Sequence, residues 1–361
     1  MKTRAAARLG VPLALAGIVA VAGVFIPGFM SRANLTTILL HVSINGILAL
    51  GSIFVIITAG IDLSVGSVVG LAGVLAAGAL TSGTVLRVFG PAGAAVVAAL
   101  VGIGAGALVG LVNGGIVARL GVAPFIVTLA MMTAARGAAR LVTGGVPIGF
   151  PDPGDPLYDR KIAALDALHA VGGGRIPVPG LPTGFPVPAL VMLALVALGG
   201  FVLTRTRFGR HVYAVGGNAE ASRLSGVSVG WVKLGVYAIA GASAGLAAVL
   251  LVGQLRSGGP DAGMLYELNA IAAAVIGGTS LFGGIGTAWG ALTGALLIGV
   301  LNNGLDLLGV QAFWQEIAKG IIILLAVLFD VWMKRMDARR WRESGAGDGG
   351  AAGESGGAGA S

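Results

Sequence analysis

The chain of 361 residues contains no cysteine and few charged or aromatic side chains. The absence of cysteine excludes disulfides, thiol chemistry and Cys-ligated metal sites. Charged residues make up 11% and aromatic residues 6% of the chain, and so low a charged fraction is not typical of a soluble domain of this length. The histidines, His41, His169 and His211, are far apart and show no metal-ligand spacing. We therefore expect neither a metal site nor a catalytic site on this chain.

A phosphate-binding loop is also missing. No G-x-x-x-x-G-K-[ST] motif occurs, which excludes an ATPase of the P-loop type on this chain. The segment 277–286, GGTSLFGGIG, is rich in glycine, but no lysine follows to hold a phosphate. We interpret it as a tight link between two helices, and we expect no cofactor here.

Long apolar runs dominate the chain instead. Hydrophobic residues make up 56% of the sequence, and the mean hydropathy is +0.94. Because about 20 apolar residues cross a bilayer as a helix, the runs predict an all-α, polytopic membrane protein rather than a β-barrel. The first run has no convincing signal-peptide cleavage site, so we interpret it as an anchor. We place about ten transmembrane helices, at Val11–Phe29, Leu35–Thr58, Val65–Thr81, Pro91–Val117, Ala123–Val142, Phe185–Leu203, Leu234–Val252, Tyr266–Phe282, Gly286–Leu301 and Phe313–Met333.

The basic residues predict the orientation of these spans. With the N-terminus and the C-terminus in the cytoplasm, most of the 23 Lys and Arg residues fall in cytoplasmic segments, as the positive-inside rule requires. The net charge of +8 therefore reflects topology, and we do not expect nucleic acid as a partner. We divide the chain into a transmembrane domain, residues 1–333, and a cytoplasmic tail, 334–361. The tail is basic at first and then rich in glycine, and we expect it to be disordered.

A polar island at 205–233 interrupts the apolar runs on the predicted cytoplasmic side. It holds five of the 23 basic residues. Asn218 is a suitable N-cap for a short helix over Ala219 to Ser225, and Gly226 is a suitable residue to end it. A short capped helix on a positive loop outside the membrane predicts a docking surface for a soluble partner.

The predicted outer loop 143–184 is rich in proline and glycine, with a short amphipathic helix predicted near Tyr158 to Val171. Two interpretations remain open for this loop. It is either a cap or flexible connector without a partner, or part of a surface that binds an extracytoplasmic partner.

Glycine is abundant, with 64 residues, and part of it falls into two stripes with four-residue spacing. Such stripes let helix backbones approach closely in a membrane. They serve either static packing or the sliding of helices during alternating access. The stripes are Gly102, Gly106, Gly110 and Gly114 on the fourth span, and Gly286, Gly290 and Gly294 on the ninth.

Polar side chains at membrane depth are costly, so each is a candidate for function. Asp62 lies at the link between the second and third spans, where it either caps the following helix or lines a translocation path. The neutral amides either bond helix to helix or contact a polyhydroxylated solute. Arg136 and Arg140, near the outer end of the fifth span, reach lipid headgroups or meet an acidic group. The candidate path residues are Asp62, Ser64, Asn113, Asn269, Asn302 and Asn303.

Five sequence blocks occur in order along the chain. They are AGIDLSVGS at 59–67, APFIVTL at 123–129, GGNxxAxRLSG at 216–226, YELNAIAAAVIGGTS at 266–280 and LNNGLDLLG at 301–309. Together they make residues 10–333 similar to the permease subunit of ribose-type (ribose, xylose or galactose-like) sugar ATP-binding-cassette importers. The outer loop at 150–184 looks long for the ribose branch, so the resemblance does not identify the sugar.

The resemblance implies the partners of this chain. They are a second permease subunit, identical or different, a cytoplasmic ATPase that binds ATP and Mg²⁺, and an extracytoplasmic sugar-binding protein. The location implied is the bacterial inner membrane, with the lipid bilayer around the spans. The resemblance also implies that the polar island contacts the ATPase, through Gly216, Gly217, Asn218, Ala221, Arg223, Leu224, Ser225 and Gly226.

Other functions remain open. The same machine could carry nucleosides or branched-chain amino acids. An ion-coupled secondary carrier would need a buried carboxylate or cationic relay at mid-membrane, and acids are scarce there, which argues against it. A membrane scaffold without transport is the third alternative.

Overall fold

The computed structural model describes residues 2–149, 151–311, 313–322, 324–325, 327–328 and 331. The fold is helical, with one small β-hairpin in the predicted outer loop. Residues 313–322 are helical as well, and the predicted tail at 334–361 lies outside the described residues. The helices are α1 (Lys2–Phe25), α2 (Arg32–Ile57), α3 (Val65–Thr81), α4 (Gly83–Arg119), α5 (Pro124–Thr143), α6 (Tyr158–Gly172), α7 (Val187–Arg205), α8 (Arg207–Gly217), α9 (Ala219–Leu224), α10 (Val229–Leu255), α11 (Tyr266–Ile276) and α12 (Ala288–Leu307), and the strands are β1 (Arg175–Val178) and β2 (Leu181–Pro186).

Six of these helices, α2, α4, α5, α7, α10 and α12, are long and apolar enough to cross a membrane. Three apolar helical stretches are shorter: residues 10–25 of α1, α3 and α11. Helix α11 has 11 residues, about 16 Å at 1.5 Å per residue, against a hydrocarbon core of about 30 Å. The predicted span Tyr266–Phe282 is therefore helical only as far as Ile276. The chain is a multi-pass membrane protein.

Other boundaries match the sequence more closely. Helix α3 covers the predicted Val65–Thr81. Helix α4 begins earlier than the predicted Pro91, but its axis kinks at Gly90, which has φ 68° and ψ −179°. Proline disfavours helical geometry in the preceding residue, and glycine adopts the positive φ without steric cost. The predicted start at Pro91 thus marks the kink inside a longer helix.

The centre of the fold is α2, which is buried along most of its length and packs against α10, α11 and α12. Helix α10 packs on the other side against α4, and the predicted glycine stripe lies in this interface. A Cβ on Gly106 would lie 2.8 Å from the backbone nitrogen of Gly245. Close packing by the first stripe is therefore confirmed. In the second stripe, Gly290 and Gly294 pack against α11, whereas Gly286 precedes the start of α12.

The predicted outer loop at 143–184 contains α6 and β1 and most of β2, which ends at Pro186 in the predicted sixth span. The predicted amphipathic helix is confirmed as α6, which packs against α4 and α10. The hairpin was not predicted, so the all-α interpretation is wrong for this segment. Strands β1 and β2 are antiparallel, with Arg175 opposite Pro186. Arg32 at the start of α2 donates to the carbonyl of Gly180 in the hairpin turn at 2.6 Å, which ties the hairpin to the helices. This contact places the hairpin turn against the start of α2.

The first part of the polar island also forms a helix, α8, which was not predicted. The Oγ1 of Thr206 accepts a hydrogen bond from the backbone nitrogen of Gly209 at 3.1 Å and caps the helix. Val212 and Val215 are buried, while charged residues occupy the opposite face. Threonine at 206 and the three-residue spacing of the valines are the signals by which the helix could have been found.

Candidate functional site

The short helix predicted inside the polar island is confirmed as α9. The Oδ1 of Asn218 accepts from the backbone nitrogen of Ala221 at 2.9 Å, so Asn218 is the N-cap. The helix ends at Leu224, one residue earlier than predicted, and Gly226 follows with φ 83°. The backbone nitrogen of Gly226 donates to the carbonyl of Arg223 at 3.0 Å. A one-turn helix is unstable alone, and these caps supply the partners that its ends lack.

The outer face of α9 is exposed. Glu220 and Arg223 form a salt bridge of 2.6 Å on the exposed surface. Leu224 is 80% exposed, and Trp231 at the start of α10 is 71% exposed. Ser222 faces inward, where its hydroxyl donates to the carbonyl of Asn218. Helix α9 therefore presents two charges and a leucine outward from a fixed backbone.

Within the predicted docking element, Gly216 differs from the other residues because it is buried. It lies at the end of α8, where its backbone touches two other segments of the chain. It cannot form part of an outer contact face. The remaining predicted docking residues lie on α9 or next to it: Gly217, Asn218, Ala221, Arg223, Leu224, Ser225 and Gly226.

Three of the predicted path residues form one buried hydrogen-bond network between α2, α3 and α4. The Oδ1 of Asp62 accepts from both the backbone nitrogen (2.9 Å) and the hydroxyl (2.6 Å) of Ser64. The amide of Asn113 donates to the Ser64 hydroxyl at 2.9 Å. All three side chains are 3% exposed or less. Ser64, and not Asp62, holds the N-cap position of α3, so Asp62 shapes the turn before the helix and does not cap it.

Two residues that sequence reasoning missed complete this region. The chain is not helical between α2 and α3, and the carbonyl of Ile61 in this break accepts from the hydroxyl of Tyr237 at 3.4 Å. The hydroxyl of Thr128 lies 3.3 Å from the same carbonyl and 3.0 Å from that of Pro124. A buried backbone segment without helical hydrogen bonds needs other groups to satisfy its carbonyls. Thr128 lies in the APFIVTL block, and its place in that block is the sequence signal by which it could have been found. The break is thus a polar centre on which α3, α4, α5 and α10 converge.

The other three candidate path residues lie elsewhere. Asn303 exchanges side-chain hydrogen bonds with Asn34 near the start of α2. Asp62 lies beyond the other end of α2, a helix of 26 residues and about 39 Å, so Asn303 is far from Asp62. Among the described residues, the Oδ1 of Asn302 is buried without a hydrogen-bond partner. Asn269 lines a small cavity beside Lys319. The six predicted residues therefore do not form a single site.

The two arginines near the end of α5 meet groups of this chain. Arg140 forms a salt bridge with Asp261, with a distance of 2.7 Å between Nη2 and Oδ1. Arg136 donates to the carbonyls of Pro260 and Ala262 at 2.7 and 2.9 Å. These contacts hold the link between α10 and α11 against α5. The interpretation of an acidic contact is thus confirmed for Arg140, and Arg136 binds backbone oxygens instead.

Fold and site together define a multi-pass helical membrane protein with a capped helix presented outside its spans and a polar break among them. Within the described part of the chain, no three His, Asp or Glu side chains are placed to hold a metal ion. The family described as "Branched-chain amino acid transport system / permease component" matches residues 34–327, and the chain belongs to this family.

Individual relatives are similar over most of their length. The ribose import permease protein RbsC of Escherichia coli strain K12 is 42% identical, over 88% of this chain and 92% of that protein. RbsC of Bacillus subtilis strain 168 is 41% identical, over 90% and 92%. The xylose transport system permease protein XylH of E. coli strain K12 is 38% identical, over 85% and 87%. No solved structure gives a significant match.

Proposed function

We propose that this chain is the membrane-spanning permease subunit of an ATP-driven importer and forms the path for a monosaccharide, a pentose or a hexose. The observation that carries the proposal is the identity of 38 to 42% with ribose and xylose permeases over at least 85% of the chain. The chain itself is not an enzyme. ATP and Mg²⁺ bind to a separate ATPase subunit.

The proposed topology has ten spans, with both termini in the cytoplasm of a bacterial cell and the spans in its inner membrane. The six long and three shorter apolar helical stretches support a multi-pass arrangement, and the distribution of basic residues supports the orientation. In this topology the polar island with α8 and α9 faces the cytoplasm. Helix α6 and the β-hairpin face the opposite side of the membrane.

Three protein partners follow from this assignment. A cytoplasmic ATP-binding-cassette ATPase contacts α9, whose exposed Arg223 and Leu224 offer a charge and an apolar anchor. An extracytoplasmic sugar-binding protein delivers the solute to the opposite face. A second permease subunit, either a copy of this chain or a related one, completes the cavity between the two subunits.

The mechanism uses α9 as the moving part. Closure of the ATPase around ATP displaces α9, and the spans rearrange so that the cavity opens to one side and then the other. The path needs only weak contacts with the solute, because the binding protein supplies most of the affinity. We assign these weak contacts to the polar break between α2 and α3, which contains Asp62 and Ser64 and is bonded to Asn113.

A second candidate cargo rests on the family description, which names branched-chain amino acid transport. The same architecture would then carry leucine, isoleucine or valine, and nucleosides are a further cargo of this kind. The identity of 38 to 42% with ribose and xylose permeases favours a sugar over these cargoes.

Uptake by cells with and without this gene tests the proposal. Labelled ribose, xylose, galactose, a nucleoside and leucine are supplied separately, with ATP depletion and an ionophore as further arms. Loss of one ATP-dependent sugar uptake in the deletion strain supports the proposed function. Loss of leucine or nucleoside uptake alone contradicts the cargo, and uptake that collapses with the ionophore but survives ATP depletion contradicts the importer.

A further inference from the structure

Three segments of the chain meet backbone to backbone beside the docking helix. They are the end of α8 at Gly216, the end of α2 at Ile57, and the turn 279–286 that precedes α12. The backbone nitrogen of Gly284 in this turn donates to the carbonyl of Ile57 at 2.8 Å. A Cβ on Gly216 would lie 2.6 Å from that nitrogen and would overlap the Ile57 carbonyl. Only glycine fits at position 216.

A side-chain hydrogen bond reinforces this contact. The hydroxyl of Tyr213, one turn earlier on α8, donates to the carbonyl of Gly286 at 2.7 Å. Gly283 has φ 86°, and a Cβ on it would lie 2.7 Å from the carbonyl oxygen of Gly216. Helix α8 and the turn are thus joined at two places. Packed contacts of this kind transmit displacement because they cannot deform continuously.

The junction connects the docking helix α9 to the polar break at 58–64 and to α12. Asn218 ends α8 and caps α9, so the docking helix follows directly from Gly216 with no flexible linker. On the other side, Ile57 ends α2 and the polar break at 58–64 begins with the next residue. The turn 279–286 continues into α12, whose first turn is capped by Thr287.

We propose that Gly216 is a positioning residue of the transport cycle: the junction of Gly216, Ile57 and the turn 279–286 carries the displacement of α9 to the polar break and to α12. The proposal rests on the function proposed above and assigns Gly216 a role different from contact with the ATPase. The residue is buried, so its substitution acts on transmission within the permease and leaves the docking face unchanged.

The test uses the complete importer, with the ATPase and the binding protein, in proteoliposomes. ATP hydrolysis and uptake of labelled ribose and xylose are measured together for the wild type and three variants. Gly216→Ala adds a methyl group inside the junction. Tyr213→Phe removes the hydrogen bond to Gly286 without adding an atom. Gly115→Ala on α4 is the control, because a Cβ there would meet nothing within 4 Å.

Each variant has an expected result. Gly216→Ala binds the ATPase as the wild type does, but its sugar uptake per ATP hydrolysed falls about fivefold or more. Tyr213→Phe lowers the same ratio about threefold with unchanged assembly. Gly115→Ala matches the wild type. If the Gly216→Ala permease does not assemble, the sugar uptake per ATP hydrolysed by the Tyr213→Phe variant decides whether the junction has the proposed role.

The outcomes separate the two proposals. A wild-type complex that takes up neither sugar contradicts the proposed sugar import and removes the basis of the junction's role. Wild-type uptake together with a normal ratio in Tyr213→Phe, and in Gly216→Ala where that variant assembles, overturns the role of the junction and leaves the proposed function intact. Loss of ATPase binding in a folded Gly216→Ala permease also overturns it, because the residue would then act on docking.

Discussion

Asn34 and Asn303 form two side-chain hydrogen bonds with each other. The Nδ2 of Asn34 donates to the Oδ1 of Asn303 at 2.8 Å, and the Nδ2 of Asn303 donates to the Oδ1 of Asn34 at 2.9 Å. Asn34 also donates to the carbonyl of Phe29 at 2.9 Å. The pair joins the first turn of α2 to the last turns of α12. Of the two interpretations of Asn303, a bond between helices is therefore the one that its side chain makes.

We predict that Asn303→Leu lowers the free energy of unfolding by about 1 to 2 kcal/mol, because Asn34 loses its partner at a site where water does not replace it fully. Thermal unfolding of the purified protein in detergent measures the change. Asn34→Leu and the double variant complete a mutant cycle, in which the two effects should be less than additive. Full additivity would contradict a direct interaction between the two amides.

The two arginines of α5 should contribute unequally to stability. Arg136→Ala leaves the carbonyls of Pro260 and Ala262 without their donor, so we expect a loss of about 1 to 3 kcal/mol. Arg140 and Asp261 are more than half exposed, and such pairs contribute about 0 to 1 kcal/mol. Chemical unfolding of both variants compares them. Equal effects, or a larger effect of Arg140→Ala, would show that the backbone carbonyls do not depend on Arg136.

The parts of the fold that were predictable depend on local chemistry. Helix α9 follows from a capping side chain at Asn218 and a glycine at 226 that adopts positive φ, and both features are visible in the sequence. The limits of α3 follow from an apolar run between polar residues. Close approach of α4 and α10 follows from four-residue glycine spacing. In each case a few adjacent residues decide the outcome.

The parts that were not predictable depend on distant contacts. The hairpin is stabilised by pairing between β1 and β2 and by Arg32, about 150 residues earlier in the chain. The predicted span Tyr266–Phe282 is longer than α11, which ends at Ile276. Apolar composition does not show this end, because glycines such as those at 277 and 278 continue or end a helix depending on their neighbours. The grouping of Asp62 with Asn113 required the packing of α3 on α4. The separation of both from Asn303 required the packing of α12 on α2.

Gly104 and Gly106, two residues apart on α4, provide a matched test of the glycine stripe. Gly106 faces the backbone of α10, whereas a Cβ on Gly104 would meet nothing within 4 Å. Leucine at 106 should separate the helices and cost about 3 kcal/mol or more, with a large loss of folded protein in the membrane. Leucine at 104 should be tolerated, since it extends into open space. Similar amounts of folded protein for both variants would contradict the observed packing of α4 on α10.

The outer loop should respond to acid through Asp155. The hydrogen bond from the Lys161 side chain, and then that from the backbone nitrogen of Leu157 (2.7 Å), hold the pKa of Asp155 below its usual value of 3.8. A depressed pKa means that this carboxylate stabilises the loop above the usual value and loses that effect as the pH falls through the lower one. The protection factor of the Leu157 amide, which corrects for the intrinsic pH dependence of exchange, should therefore fall below about pH 4. Asp155→Asn should show fast exchange already at pH 7, and slow exchange in that variant would contradict the role of the carboxylate.

The proposed docking role of α9 leads to a prediction about the charge of Arg223. Arg223→Glu places two acidic side chains one turn apart on the exposed face, and the salt bridge with Glu220 becomes a repulsion. Exposed pairs contribute little to folding, so the amount of permease in the membrane should stay close to that of the wild type. ATP-dependent uptake should be lost, because the proposed ATPase interface then carries a negative charge in place of a positive one. Glu220→Gln breaks the same salt bridge and keeps the arginine, so it should retain most of the uptake. Normal uptake by Arg223→Glu, or equal loss in both variants, would contradict an interface that depends on Arg223.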